Sequence, residues 1–248
     1  MDAIYILWLR QIKRYLRSPA RILGSLGQPI LFLLALGYGF GAVYAKAGGG
    51  NYLQFIAPGV ICMSILFTAV FSGIEMIWDR QFGFLKETFV APVPRLHIVF
   101  GRVLGGATVA TLQGVIVLLL TFLFGFRPEH LWLLPLALVV MLIIALLFSA
   151  FGTAIASVLE DMQGFQLIMN FMVMPTFFFS GALFPLAGLP PLLSLVAKLD
   201  PLTYGVDALR GLLISSNHFP LTTSIGILTG VMLFFLLLSS FLFSRIEL

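Results

Sequence analysis

Charge is what this sequence has least of. Only 10% of its 248 residues are charged, against about 25% in an ordinary soluble domain. It has one cysteine, Cys62; that excludes an internal disulfide and leaves no second thiol for a metal site. His97, His130 and His218 are far apart, and no H-E-x-x-H, D-x-x-D or G-x-S-x-G pattern occurs, so the familiar signatures of embedded metalloenzymes, lipid transferases and serine hydrolases are missing. No G-x-x-x-x-G-K-[ST] phosphate loop is present. The Gly37, Gly39, Gly41 run lacks the lysine and sits in an apolar stretch. No polar linker divides residues 1–248, so one domain is expected.

What the chain does have is apolar surface. It is 60% hydrophobic, with a mean hydropathy of +1.09, which places it among integral membrane proteins. A crossing takes about 20 apolar residues. Six runs qualify or nearly do: Ile22–Tyr44, Phe55–Ile77, Val103–Phe126, Leu131–Leu159, Leu167–Leu186 and Leu221–Ser244. The expected fold is all-α, with six transmembrane helices. The uncharged stretch Ile22–Ala45 is longer than a signal-peptide core of about 7–15 residues, so it is expected to be a retained span. The short Arg127–His130 turn predicts an antiparallel hairpin of spans three and four, and Pro135 puts the first turns of span four near the interface.

Lys and Arg in the flanks orient such a chain. Ten would lie with the N-terminus (Arg10, Lys13, Arg14, Arg17, Arg21, Arg80, Lys86, Arg95, Arg102, Arg245) and four opposite (Lys46, Arg127, Lys198, Arg210). Both termini are therefore expected in the cytoplasm, at the inner membrane. The net charge of +4 flanks apolar runs, which points to lipid head groups and not to nucleic acid.

Three segments lie outside the spans. Residues 1–21 hold an amphipathic interfacial helix over 4–21, with Ile4, Leu7, Trp8, Ile12 and Tyr15 on one side and basic residues on the other. The 79–95 loop, DRQFGFLKETFVAPVPR, has Trp78, Phe82, Leu85 and Phe89 at helical spacing before Ala-Pro-Val-Pro ends any helix. Such a helix either docks into a partner's groove or rests on the membrane. Residues 187–219 combine an apolar piece too short to span, read as re-entrant or interfacial, with a helix-compatible piece in which Asp207 and Arg210 are spaced to pair.

At the last two places the sequence resembles the membrane subunits of type 2 (ABC-2 type) ABC exporters. Asp79, Gly83, Glu87, Ala91 and Pro92 carry the likeness in the loop, and Phe84 and Lys86 depart from it. FFSGALFPLAGLPP…LDPLTYGVDALRG carries it further on, most clearly at Pro201, Tyr204, Arg210 and Gly211. The resemblance covers essentially the whole chain and is closest to drug, lipid or polysaccharide export permeases. It implies a permease paired with a second copy of itself or a paralogous permease, surrounded by membrane lipid, and driven by a separate ABC ATPase subunit. That partner would carry ATP and Mg, with no cofactor in this chain. Coupling would run through Asp79, Arg80, Gly83, Leu85 and Glu87. An external gate would include Pro201, Tyr204 and Arg210. Spans two and five would line the path. Its candidate residues are Met63, Phe67, Phe71 and Ile74 on one stripe, and Asn170, Met174, Phe177 and Phe178 on the other. Phe and Met adapt to many apolar shapes, though such a stripe also suits helix packing or lipid contact. Glu75 is placed either to snorkel or to pair with a base of the N-terminal helix. Gly101, Gly105, Ser149, Gly152, Thr153 and Ala156 allow close helix approach.

The substrate class expected is bulky and hydrophobic or amphiphilic: a drug, a lipid or a lipid-linked glycan. Two other readings are a secondary transporter and a membrane-embedded lipid-modifying enzyme. The first would place ionisable residues or broken helices at mid-membrane, and the second would need clustered catalytic groups.

Overall fold

The computed structural model describes residues 2–46, 50–84 and 93–246. Among them the regular structure is helical: α1 (Asp2–Leu16), α2 (Pro19–Phe32, continued by a π-helical turn at Leu33–Tyr38), α3 (Gly41–Lys46), α4 (Tyr52–Phe71), α5 (Ile74–Gln81), α6 (Arg95–Leu123), α7 (Leu134–Val158, entered through a 3-10 turn at Leu131–Leu133), α8 (Met162–Phe179), α9 (Pro191–Leu199), α10 (Pro201–Ile214) and α11 (Leu221–Ser244). Five segments are long and apolar enough to cross a membrane: Pro19–Tyr38, Tyr52–Gln81, Arg95–Leu123, Leu131–Val158 and Leu221–Ser244. The fifth expected run falls on α8, which has 18 residues and is diluted by Gln163, Gln166, Asn170 and Pro175. It is not one of the five.

α4 is the centre. It is apolar on every side, as a helix must be when neighbours surround it, and most of its residues are buried. α6, α7, α10 and the π-helical end of α2 pack around it, and α11 closes the far side of α7. α6 and α7 pack against each other, as the short connection predicts. Trp132 stays exposed at the mouth of that hairpin, where aromatic anchors sit at a bilayer surface.

Several boundaries moved for local reasons. The N-terminal helix stops at Leu16, not near residue 21, because Pro19 opens a new helix, so Arg21 belongs to the first turn of α2. Inside α2, Pro29 withdraws an amide and the ladder then widens into its π-helical turn. Span two breaks into α4 and α5 at Ser72–Gly73. There a Cβ on Gly73 would come within 2.5 Å of the Gly152 carbonyl oxygen, so α4 and α7 cross at backbone contact. α8 is capped by Asp161, whose carboxylate accepts the Gly164 amide at 2.6 Å. It ends at Phe179 before the left-handed Gly181, well short of the expected Leu186.

α1 lies along the start of α6. Gly101 and Gly105 make the seat: a Cβ on Gly101 would stand 2.9 Å from Leu7 Cβ and 3.0 Å from the Ile4 carbonyl oxygen, and one on Gly105 would stand 2.6 Å from Gln11 Cγ. Trp8 Nε1 donates to Thr108 Oγ1 at 3.0 Å, and the Tyr15 hydroxyl donates to Gln113 Oε1 at 2.5 Å. Because the Gly101 neighbour is backbone, it cannot step aside. Gly101→Val is expected to unseat α1 at a cost of about 1–3 kcal/mol. Faster proteolysis at Arg14 and Arg17, with a lower unfolding midpoint in detergent, would report it; unchanged cleavage would refute the seat.

Candidate functional site

The charged groups that the apolar sequence keeps are gathered at the end of the bundle where α1, α5 and the start of α6 meet. Asp79, in the last turn of α5, is the hub. Its Oδ1 accepts Arg10 Nη2 at 2.8 Å, and its Oδ2 accepts Arg10 Nη1 at 3.2 Å and Arg102 Nη2 at 2.6 Å. One carboxylate thus holds α1 and α6 to α5. Arg102 and Asp79 are almost fully buried, whereas Arg10 is partly exposed. One turn earlier Glu75 faces the same way. Its Oε1 takes Arg21 Nη1 at 2.8 Å, and its Oε2 lies 3.6 Å from Arg14 Nη1. The pairing of Glu75 with the N-terminal basic residues is therefore present. It reaches both α1 and α2.

The other side of α5 is tied to the α7–α8 connection. Arg80 Nη2 meets Glu160 Oε1 at 2.6 Å, Gln81 Nε2 donates to the Glu160 carbonyl at 3.1 Å, and Trp78 Nε1 points to the Met162 sulfur. Gly83 then ends the segment with φ +78°, a left-handed turn that glycine accepts freely. Leu85 and Glu87 lie outside the described residues, as do Lys86, Phe89, Ala91 and Pro92. Of the expected coupling residues, Asp79 is turned inward as a positioning residue and Arg80 is engaged sideways. Between α1 and α5 is an open groove of about 960 Å³. Lys13, Arg17, Trp78 and Phe82 are among its lining residues. Lys13 and Arg17 make no ion pair among the described residues.

At the opposite end, α10 is pinned to α4. Arg210 is 5% exposed; it donates from Nη2 to the carbonyls of Gly181 at 3.0 Å and Phe55 at 3.3 Å, and its guanidinium lies 3.9 Å from the Phe55 ring centroid. Asp207 does not pair with it. The Asp207 carboxylate instead accepts the amides of His218 at 2.6 Å and Phe219 at 2.9 Å, which serves the chain turning toward α11. Main-chain groups had the stronger claim on both side chains, a competition that spacing alone cannot reveal. Pro201 opens α10, and the Tyr204 hydroxyl donates to the Lys198 carbonyl at 2.8 Å.

The two candidate stripes do not share one cavity. Met63 and Phe67 line a cleft between α2 and α4. Phe71 stacks on Phe67 and meets Phe165 edge-on, and Ile74 starts α5. Asn170, Met174 and Phe178 lie on the exposed side of α8, while Phe177 points inward against Phe32. Sequence reasoning missed Arg102, counted only as one more flanking base, and Gln113, Gln28 and Ser64, which break otherwise apolar helices.

These features define a polytopic helical membrane protein with an amphipathic arm clamped to an elbow at one end. Comparison with known proteins gives the particular family. The model of the ABC-2 type transporter family matches residues 2–214, and the chain belongs to that family. It is 26% identical over 248 residues to the inner membrane transport permease YadH of Escherichia coli strain K12, covering 98% of this chain and 95% of that one. It is 29% identical over 213 residues to nodulation protein J of Rhizobium leguminosarum bv. viciae, covering 84% and 81%. It is 27% identical over 262 residues to the putative transport permease ycf38 of Cyanophora paradoxa, covering 99% and 89%. The chain is thus a multi-pass transport subunit and not an enzyme, and permeases of this family work with a separate ABC ATPase that uses ATP and Mg.

Two predictions follow from the charges. Asp79→Ala leaves buried Arg102 without its counter-ion and is expected to cost about 3–5 kcal/mol. Glu75→Ala is expected to cost less, because Arg14 and Arg21 are about 40% exposed and can hydrate. Equal drops in unfolding midpoint would remove the special place given to Arg102. Asp200, between α9 and α10, caps Leu202 at 2.9 Å, yet burial lifts its pKa from 3.8 to about 8. The folded state therefore holds a proton that the unfolded chain releases near pH 4. Stability should fall as pH rises from about 4 to 8. Asp200→Asn, which keeps the cap, should flatten that slope in thermal melts.

Proposed function

We propose that this chain is the permease half of an ATP-driven exporter for a bulky hydrophobic or amphiphilic substrate, a drug, lipid or lipid-linked glycan, and that the Asp79–Glu75 clamp transmits ATPase motion to the spans. The observation that carries this reading is that α5 leads into the 79–95 loop and is bonded at once to α1, α2, α6 and the α7–α8 connection. A push on the loop would reach four neighbouring segments through ionic contacts. The loop would serve as the coupling helix, with Gly83, Leu85 and Glu87 toward the ATPase and Asp79 and Arg80 behind them. The cationic groove of Lys13 and Arg17 suits an acidic surface beside it.

In this reading residues 1–248 form one domain, α8 is the sixth crossing, and both termini are cytoplasmic. α9 and α10 form a re-entrant element on the exit side, where Pro201, Tyr204 and Arg210 fix the gate. The exposed face of α8, with Asn170, Met174 and Phe178, would meet a second copy or a paralogous permease across the path. An intramembrane Asn exposed in one protomer is expensive in lipid and inexpensive against protein.

Co-purification with candidate ABC ATPase subunits, followed by ATPase assay in lipid, tests the reading. The expected result is a stable complex whose hydrolysis responds to amphiphilic compounds. A folded permease that binds no ATPase, its native partner included, would overturn it. Glu87→Arg is expected to leave assembly intact while cutting transport per ATP at least tenfold; full transport by that variant would remove the loop as the coupling element.

A further inference from the structure

Many hydroxyl groups in these helices bond back to their own main chain. Thr108, Thr111, Thr153 and Thr176 each donate to the carbonyl four residues back in their own helix, and Ser157 does the same. Ser72, Ser180 and Ser239 reach back three. This is how a polar side chain is made inexpensive in a membrane. Ser64 and Thr68, one turn apart on α4, do not; Thr203 in α10 and Ser224 in α11 are likewise buried without a partner among the described residues, but only Ser64 and Thr68 line a common cleft with a second helix. Ser64 is 5% exposed and its hydroxyl has no hydrogen-bond partner. The Thr68 hydroxyl makes no hydrogen bond among the described residues.

Both residues line a cleft of about 120 Å³ between α2 and α4, facing Gln28, Ser25 and Gly24. The Gln28 amide nitrogen finds only the Met63 sulfur, at 3.9 Å, a weak acceptor. A Cβ on Gly24 would touch nothing within 4 Å, so the α2 wall is left open there and not packed. Gln28 lies nine residues beyond Pro19, roughly 14 Å along the helix, which is near the middle of a bilayer core about 30 Å thick. A mid-membrane space with unpaired hydroxyls and a loosely held amide is costly unless something hydrogen-bonds there.

We propose that this cleft is a binding subsite for an uncharged, hydroxyl-bearing head group, such as one sugar unit of an amphiphile. The inference rests on the permease reading for its place on a transport path. Each of Gln28, Ser64 and Thr68 both donates and accepts, as every hydroxyl of a polyol also does. The cleft lining carries no charge to hold an anion or a cation. Met63 and Phe67 supply an apolar wall for the attached chain. α2 is the less enclosed side of such a site: its buried share is the smallest but one among the five spans, and Pro29 with the π-helical turn lies just beyond Gln28.

The test uses the full chain in phosphatidylcholine nanodiscs, whose head groups offer no hydroxyl, and an octyl glucoside bearing a photoreactive diazirine. Peptide mapping is expected to find the label on residues 24–28 and 63–68. Unlabelled octyl glucoside should compete, and octyl sulfate of the same chain length should not. Ser64→Ala and Gln28→Leu should each weaken labelling about fivefold, the effect of one neutral hydrogen bond. Gly24→Leu, which fills the cleft, should abolish it. Ser64→Ala removes a hydroxyl that bonds nothing, so its unfolding midpoint should not fall, and it decides the matter if another variant misfolds. Three results would each overturn the subsite: label elsewhere, equal competition by octyl sulfate (a greasy crevice that takes any bilayer lipid), or full labelling of Ser64→Ala. The assay needs no ATPase, so its failure is separate from failure to assemble an exporter.

Discussion

The carboxylate of Asp79 is the point on which the arrangement of this molecule turns. Two guanidinium groups from different helices share its two oxygens, and one of them, Arg102, is buried with it. A buried cation is held in place by the cost of leaving it unpaired. α6 therefore fixes Arg102, Arg102 fixes α5, and α5 fixes α1 through Arg10. Glu75 repeats the connection one turn away at lower cost, with partners that reach solvent. The first is a structural tie and the second an adjustable one.

α4 and α5 form a rod of 30 residues from Tyr52 to Gln81, about 45 Å at helical rise. The ionic clamp grips one end. At the other, Arg210 grips the Phe55 carbonyl and covers its ring, joining α10 and the end of α8 to the same rod. The bend at Gly73, set by backbone contact with Gly152, is where the rod changes from surrounded core to charged elbow. Events at the two ends therefore act on one element with one bend in it. α2 runs alongside, joined by the Arg21–Glu75 contact, and is the less enclosed wall of the α2–α4 cleft.

The family's mechanical parts appear in different kinds of residue. Aromatic and thioether side chains make apolar walls that fit many shapes. The ionic cluster is specific in geometry but belongs to the scaffold. Gln28, Ser64 and Thr68 are groups of a third kind, neutral and hydrogen-bonding, gathered along one cleft. Nodulation protein J, the transport permease YadH and the putative transport permease ycf38 are similar to this chain over most of its length.

The sequence by itself determined the class of the protein. Charge confined to the ends of long apolar runs dictates crossing helices, because an unpaired backbone or ion cannot rest in lipid; five of the six expected runs coincide with helices long enough to cross, with ends up to eight residues away from the expected ones. It also showed Glu75 as an acid within reach of the N-terminal bases, and Gly101 and Gly105 as sites of close approach. Where span two breaks was decided by contacts that are distant in sequence: Gly73 against Gly152, and Ser72 beside Ser149. Spacing placed Asp207 and Arg210 on one helical face, but their partners are main-chain groups 11 to 155 residues away. Only the folded chain could show that Arg102 is a buried counter-ion and not another flanking base, or that Gln28 and Ser64, 36 residues apart in the chain, face the same cleft. Local pattern sets what a segment can be, and the partner that reaches each polar group first sets what it does.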